Sequence, residues 1–193
     1  MNLKVWIITL ISSTFSIGSI SAYSMIKDPI NNEFNFGEEF LGTWLFILGL
    51  MDALVYLLRL ITGIIFIFCP IKKLVLGFTI MSFGEIIFLC LIPTIKIVGH
   101  EKLILMIANF GIGICKNALV FPTLILNYYI NPAEDICMLT AFAGLMLLGN
   151  TLAILIMEIC MNSFQIDWSY SLMIYCCFFL GSILLQQFTI KEV

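Results

Sequence analysis

The sequence predicts an all-α, polytopic membrane protein of six transmembrane helices, and three observations predict it. Of the 193 residues, 62% are hydrophobic and only 11% charged, with a mean hydropathy of +1.12. A soluble domain carries about a quarter of its residues as charges. The apolar residues also come in long runs. Phe40–Pro70 is the most extended, longer than the roughly 20 residues a helix needs to cross a bilayer core. The polar residues left over are too few for a sizeable soluble domain. The charges that sum to −3 are spread mostly over the loops, and no basic patch suits a nucleic acid.

The first span is expected at about 5–26. A positive start at Lys4, an apolar run and Ser19-Ile20-Ser21-Ala22 resemble a secretory signal with its cleavage site. Read as a helix, which is the reading taken, the stretch places Ser12, Ser16, Ser19 and Tyr23 on one face. Lys27–Glu39, the longest polar segment, is expected as a loop outside the membrane. The second span, 41–69, ends at Cys69-Pro70, and the tight turn Pro70–Lys73 leads to the third at 74–92. Pro93–Lys102 forms the next loop.

The fourth span, 103–130, holds Gly111, Gly113, Lys116, Asn117 and Pro122, and the proline is expected to kink it. Asn131–Asp135 breaks the run, and Glu134 and Asp135 suit the positive end of a new helix dipole. The fifth span follows at 136–161 and the sixth at 168–188. An even count puts both termini on one side. Lys4, Lys72, Lys73 and Lys191 against Lys27, Lys96 and Lys102 make that side the cytoplasmic or matrix one. Trp6, Trp44 and Trp168 fall near span ends, where tryptophan anchors at the interface.

Five charges lie within the apolar spans: Asp52, Arg59, Glu85, Lys116 and Glu158. Asp52 and Arg59 are seven residues apart, so a helix carries them on one face, with Tyr56 and Gly63 continuing the stripe. Charges inside a bundle line a path, relay protons or pair with one another. Three acids and two bases allow two pairs and leave one carboxylate, as proton or cation coupling would use. The alternative is buried pairs that set helix register, or snorkelling by Arg59.

Polar or small residues recur at helical spacing as Asn109, Gly113 and Lys116; as Gly144, Thr151 and Glu158; and as Ser171, Tyr175, Ser182 and Gln186. They either line a wet cavity or let helices approach closely, and Gly149 with Ala153 fits close approach. Asn150 suits a cross-helix hydrogen bond or a ligand contact. The candidates for a translocation path are Asp52, Tyr56, Arg59, Glu85, Lys116, Asn117, Asn150 and Glu158. No catalytic group is expected, because a lone loop histidine, His100, cannot build a triad. The seven cysteines form no CxxC pair and read as small packing residues, so no metal site, cofactor or disulfide framework is expected.

Over Phe40–Gln187 the chain resembles one six-helix half of a major facilitator superfamily transporter. The resemblance rests on the tight turn after the second span, on Gly49-Leu50-Met51-Asp52, on Gly111 and Gly113 before Phe121-Pro122, and on Gly149-Asn150-Thr151-Leu152-Ala153. Gly49-Leu50-Met51-Asp52 and the Gly149-Asn150 pattern are similar to the organophosphate and sugar-phosphate branch. The family's acid and basic-flanked glycine at the turn are reduced here to Lys72-Lys73, and Phe110 stands near the place of the basic residue that opens its fourth-helix motif.

The resemblance implies a transporter for a small polar or anionic solute, with Asp52, Arg59, Lys116, Asn150 and Glu158 along the path. The bases would hold the anion and a carboxylate would couple protons. Alternating access needs two six-helix halves, so a homodimer or a partner chain is implied. The other reading kept open is an accessory, structural subunit of a large multi-subunit membrane complex, of which an organelle inner membrane offers examples. Both place the chain in a lipid bilayer as a multi-pass protein.

Overall fold

The structure is a computed structural model that describes residues 3–37, 39–40, 42–44, 46–47, 50, 54, 57, 71–115 and 135–190. Among these residues no strand occurs, and the elements are helical. They are α1 (Leu3–Phe34), α2 (Ile71–Leu91), a 3-10 turn (Ile92–Thr94) with a helical turn (Ile95–Val98), α3 (Glu101–Cys115), α4 (Asp135–Glu158), a π turn (Ile159–Ser163) and α5 (Trp168–Ile190). The described part of 39–57 is helical as well.

Helix α1 runs two turns past the end expected from its apolar run, and Lys27–Phe34, read as loop, is helical. Pro29 lies inside it and removes one backbone donor. The extension is held from outside. Ile26 and Ile30 are fully buried, and Glu33 ion-pairs with Lys96 at 3.1 Å. Asn35, at φ 48°, then closes the helix in the left-handed conformation that asparagine tolerates, its N–H donating to the Asn31 carbonyl at 2.8 Å.

The loop expected from Pro93 is likewise shorter than read. The chain tightens to a 3-10 turn around Pro93, resumes as Ile95–Val98 and stops at Gly99, φ 72°. Ile92 and Ile95 are buried there, and their packing keeps the backbone helical through a proline that marks a boundary by local rules. Asp167 starts α5 by accepting from the Ser169 N–H at 2.9 Å, as an N-cap aspartate does.

Among the described helices, α1 and α5 make the most extensive contacts. Helix α1 packs on α4 and α5, α5 packs also on α2, and α2 on α3. The contact of α1 with α4 is a close approach of backbones. A Cβ on Gly18 would lie 2.5 Å from the Gly149 carbonyl oxygen and 2.9 Å from the Ala153 Cβ, and one on Gly149 would collide with the Thr14 carbonyl oxygen. Gly149 and Ala153 therefore act as the small residues of a helix–helix contact.

α2 with its continuation, Val75–Val98 (24 residues), and α5 over Trp168–Phe188 (21 residues) are long and apolar enough to cross a bilayer. These two, among the described residues, meet that measure out of the six spans expected. Leu76, Ile80 and Ile87 on α2 and Met173, Phe178 and Leu184 on α5 point outward. Outward apolar faces of this kind suit membrane association.

Two aromatic placements differ from expectation. Trp44 and Trp168 are 1% and 5% exposed, so they are packed inside protein and do not stand at an interface. Trp44 packs at a tilt against the Tyr23 and Phe40 rings. Trp168 serves the clamp described next.

Candidate functional site

The serine face of α1 is the spine of a polar seam. Ser12, Ser16, Ser19 and Tyr23 are all buried, as are Glu85 on α2, Asn109 on α3 and Gln186 on α5. Ser12 Oγ donates to Gln186 Oε1 at 2.9 Å. One turn on, Ser16 Oγ donates to Glu85 Oε2 at 2.7 Å. The Ser19 hydroxyl lies between Glu85 Oε1 and the Ser16 carbonyl of its own helix. The Glu85 side chain is thus gripped at both oxygens by α1. From Ser12 to Tyr23 the seam covers about 16 Å at 1.5 Å per residue, roughly half a bilayer core.

At the Tyr23 end the seam meets α3 and the helical residues near 44. Asn109 and Trp44 face the Tyr23 hydroxyl, yet the Tyr23 hydroxyl, Trp44 Nε1 and Asn109 Oδ1 lack well-formed hydrogen bonds among the described residues. Buried polar atoms left so are costly and mark places where water or another group can be held. Beyond Phe40, which contacts Trp44 ring to ring, an open pocket of about 300 Å³ is lined by Gly37, Glu39, Phe40, Thr43, Lys102 and Met106. The Lys102 ammonium stands 5.2 Å over the Phe40 ring. Neither the Tyr23 group nor this pocket was legible beforehand. Asn109 was the signal, since a buried amide on an apolar helix needs partners from elsewhere.

Past the far end of α1, a clamp joins three chain segments. Lys96 Nζ bonds Asp167 Oδ2 at 2.8 Å and Glu33 Oε1 at 3.1 Å. Its charge lies 4.8 Å over the Trp168 ring, and Trp168 Nε1–H donates to Glu33 Oε2 at 2.6 Å. Partial burial pushes the Asp167 carboxyl up. Hydrogen bonds from Lys96 and Ser169 and the Lys96 charge outweigh that and hold it below the usual aspartate range.

A carboxyl lowered on folding contributes stability that is present above its unfolded pKa, about 3.9, and lost as pH falls through the lower folded value. In a variant keeping Trp168 as its sole tryptophan, emission should stay constant from pH 7 to about 5 and change only at lower pH. Asp167→Asn should reduce that step. A transition centred near neutral pH would show that other groups govern the clamp.

The sequence-derived candidates separate as follows. Asp52, Tyr56, Arg59, Lys116 and Asn117 lie outside the described residues. Glu85 is in the seam. Asn150 is half-buried and accepts from Ser21 Oγ at 2.9 Å, a cross-helix bond between α1 and α4. Glu158 is exposed and accepts from its neighbour, Asn162 Nδ2, at 2.6 Å. Gly144 and Thr151 are exposed too, so the stripe Gly144, Thr151 and Glu158 lies on an outer face of α4 and is not covered by the described residues. The face of α4 that carries Gly149, Ala153 and Met157 packs inward, and the opposite face must turn out. Ser171, Tyr175, Ser182 and Gln186 on α5 are all buried, and Tyr175 donates to the Phe15 carbonyl of α1. Among the described residues no group of His, Cys, Asp and Glu could hold a metal ion.

No family model, curated protein or solved structure matches the chain.

Proposed function

We propose that the chain is a six-span, half-size, major-facilitator-like transporter for a small polar or anionic solute, working as a dimer or with a partner chain. One observation supports this most: a line of polar groups, Gln186, Ser12, Ser16, Glu85, Ser19, Tyr23 and Asn109, runs inside a bundle whose outer faces are apolar. Polar groups placed against that gradient are costly in a bilayer and accompany substrate or ion paths. Opening along α1 would part these groups and wet them. Glu85 is the carboxylate placed to exchange a proton or cation, and Lys102 at the pocket is placed to draw an anion.

A second reading, an accessory subunit of a large membrane complex, is favoured by the fact that Glu85, Ser16 and Ser19 are buried and already bonded to one another. Such a seam sets helix register without passing anything.

The two are separated by native mass measurement of the gently solubilised, tagged chain, followed by flux of small organic anions into liposomes. A dimer or a pair with a second six-span chain, with pH-dependent uptake lost in Glu85→Gln, Asp52→Asn and Arg59→Ala, is the expected result. Recovery only in a multi-subunit assembly, with no flux, would overturn the transport reading in favour of the second.

A further inference from the structure

α2 and α5 run antiparallel, so facing residues keep a nearly constant sum of residue numbers along the contact. Gln187 Nε2–H donates to Thr79 Oγ1. Eleven residues forward on α2 and eleven back on α5 lead to Cys90 and Cys176. Eleven residues are about three turns of 3.6, so both positions return to the facing sides. The same register continues to the clamp, where Lys96 lies over Trp168. The Cys90 and Cys176 side chains therefore face each other across the α2–α5 contact, and neither is in a disulfide. Cys176 is buried and Cys90 half-buried, whereas Cys177 is exposed, turned away by one residue.

We propose that Cys90 and Cys176 form an oxidisable pair that a hydroperoxide converts into a disulfide stapling α2 to α5. Cys90, the more accessible sulfur, gives up its proton and attacks a peroxide oxygen. The O–O bond breaks, leaving Cys90 as the sulfenic acid and releasing water. The Cys176 sulfur then attacks the Cys90 sulfur, and its proton leaves with the hydroxide as a second water. Two thiols lose two electrons in all, and the peroxide gains them. Among the described residues no other cysteine has such a partner in register, so the pair is selected by geometry. The staple joins the two helices that are long and apolar enough to span a bilayer, and it would hold them against sliding.

The test uses the full chain in lipid nanodiscs, with Cys69, Cys115, Cys137, Cys160 and Cys177 replaced by alanine and hydrogen peroxide as oxidant. The expected result is that both remaining thiols become refractory to maleimide, the chain loses the mass of two hydrogens, and a reductant restores both. A register control keeping Cys90 and Cys177, with Cys176→Ala, should close roughly tenfold more slowly or not at all, its sulfurs being misaligned. Peptide mapping of the oxidised wild-type chain should yield the Cys90–Cys176 cross-link, whether or not the multiple variant folds. The proposal is overturned if mapping of the oxidised wild-type chain finds both sulfurs still alkylated or separately oxygenated, or if the control closes equally fast.

Discussion

Gly149→Ala should cost the bundle about 2 kcal/mol, from overpacking of about 3 kcal/mol less about 1 kcal/mol gained from alanine's helix propensity. The added Cβ collides with the Thr14 carbonyl oxygen, a backbone atom that no rotamer change can move. Either α1 and α4 separate or α1 shifts along its axis. Separation would also stretch the Ser21–Asn150 bond. Gly144→Ala is the matched control on the same helix. Nothing lies within 4 Å of its added Cβ, so stability should be unchanged or rise by up to about 1 kcal/mol. Denaturant titration of both variants in mixed micelles, followed by far-UV circular dichroism, measures the difference. Equal stabilities would mean that α1 and α4 are not in contact at these glycines.

Glu85→Ala should cost about 2 kcal/mol or more, because a buried donor left without an acceptor costs about 1–3 kcal/mol. Ser16 would be left as a buried donor facing a gap, and Ser19 would keep only the Ser16 carbonyl of its own helix. Glu85→Gln keeps an acceptor and should cost about 1 kcal/mol. The triple variant Ser16→Ala, Ser19→Ala, Glu85→Leu removes donors and acceptor together, and should recover most of the loss, as apolar replacement of a buried polar cluster generally does. A Glu85→Ala cost below about 1 kcal/mol would mean that the carboxylate is not gripped by α1. The same variants separate fold from function: the triple variant should be stable and inactive in flux if Glu85 carries a proton or cation.

The helical class and the inward faces of α1 and α5 were legible because both depend on local periodicity. Ser12, Ser16 and Ser19 recur at helical spacing, as do Ser171, Tyr175, Ser182 and Gln186, and each set is buried together. Spacing says which residues share a face but not which way the face turns. Gly144, Thr151 and Glu158 share one as well, and it points outward, because the close approach at Gly149 decides the orientation of α4. The end of α1 and the length of the loop after α2 were misjudged for a related reason. Pro29, Pro93 and the charges of Lys27–Glu33 are breaking signals by local rules, and they are overridden by Ile30, Ile92 and Ile95 entering the core. The burial of Trp168 could not be foreseen, since its partners Glu33 and Lys96 are remote in sequence.

The pairing of α1 with α5 bears on how the chain is made. The partner of Ser12 is Gln186, 174 residues later. At a synthesis rate of about 5–20 residues per second, that interval is on the order of ten to thirty-five seconds. Until α5 is made, Ser12 lacks its bond to Gln186, whereas Ser16 and Ser19 can already meet Glu85. Seating of this part of α1 on α5 therefore waits for the later helix, and chains truncated before residue 168 should be the ones that cellular quality control removes.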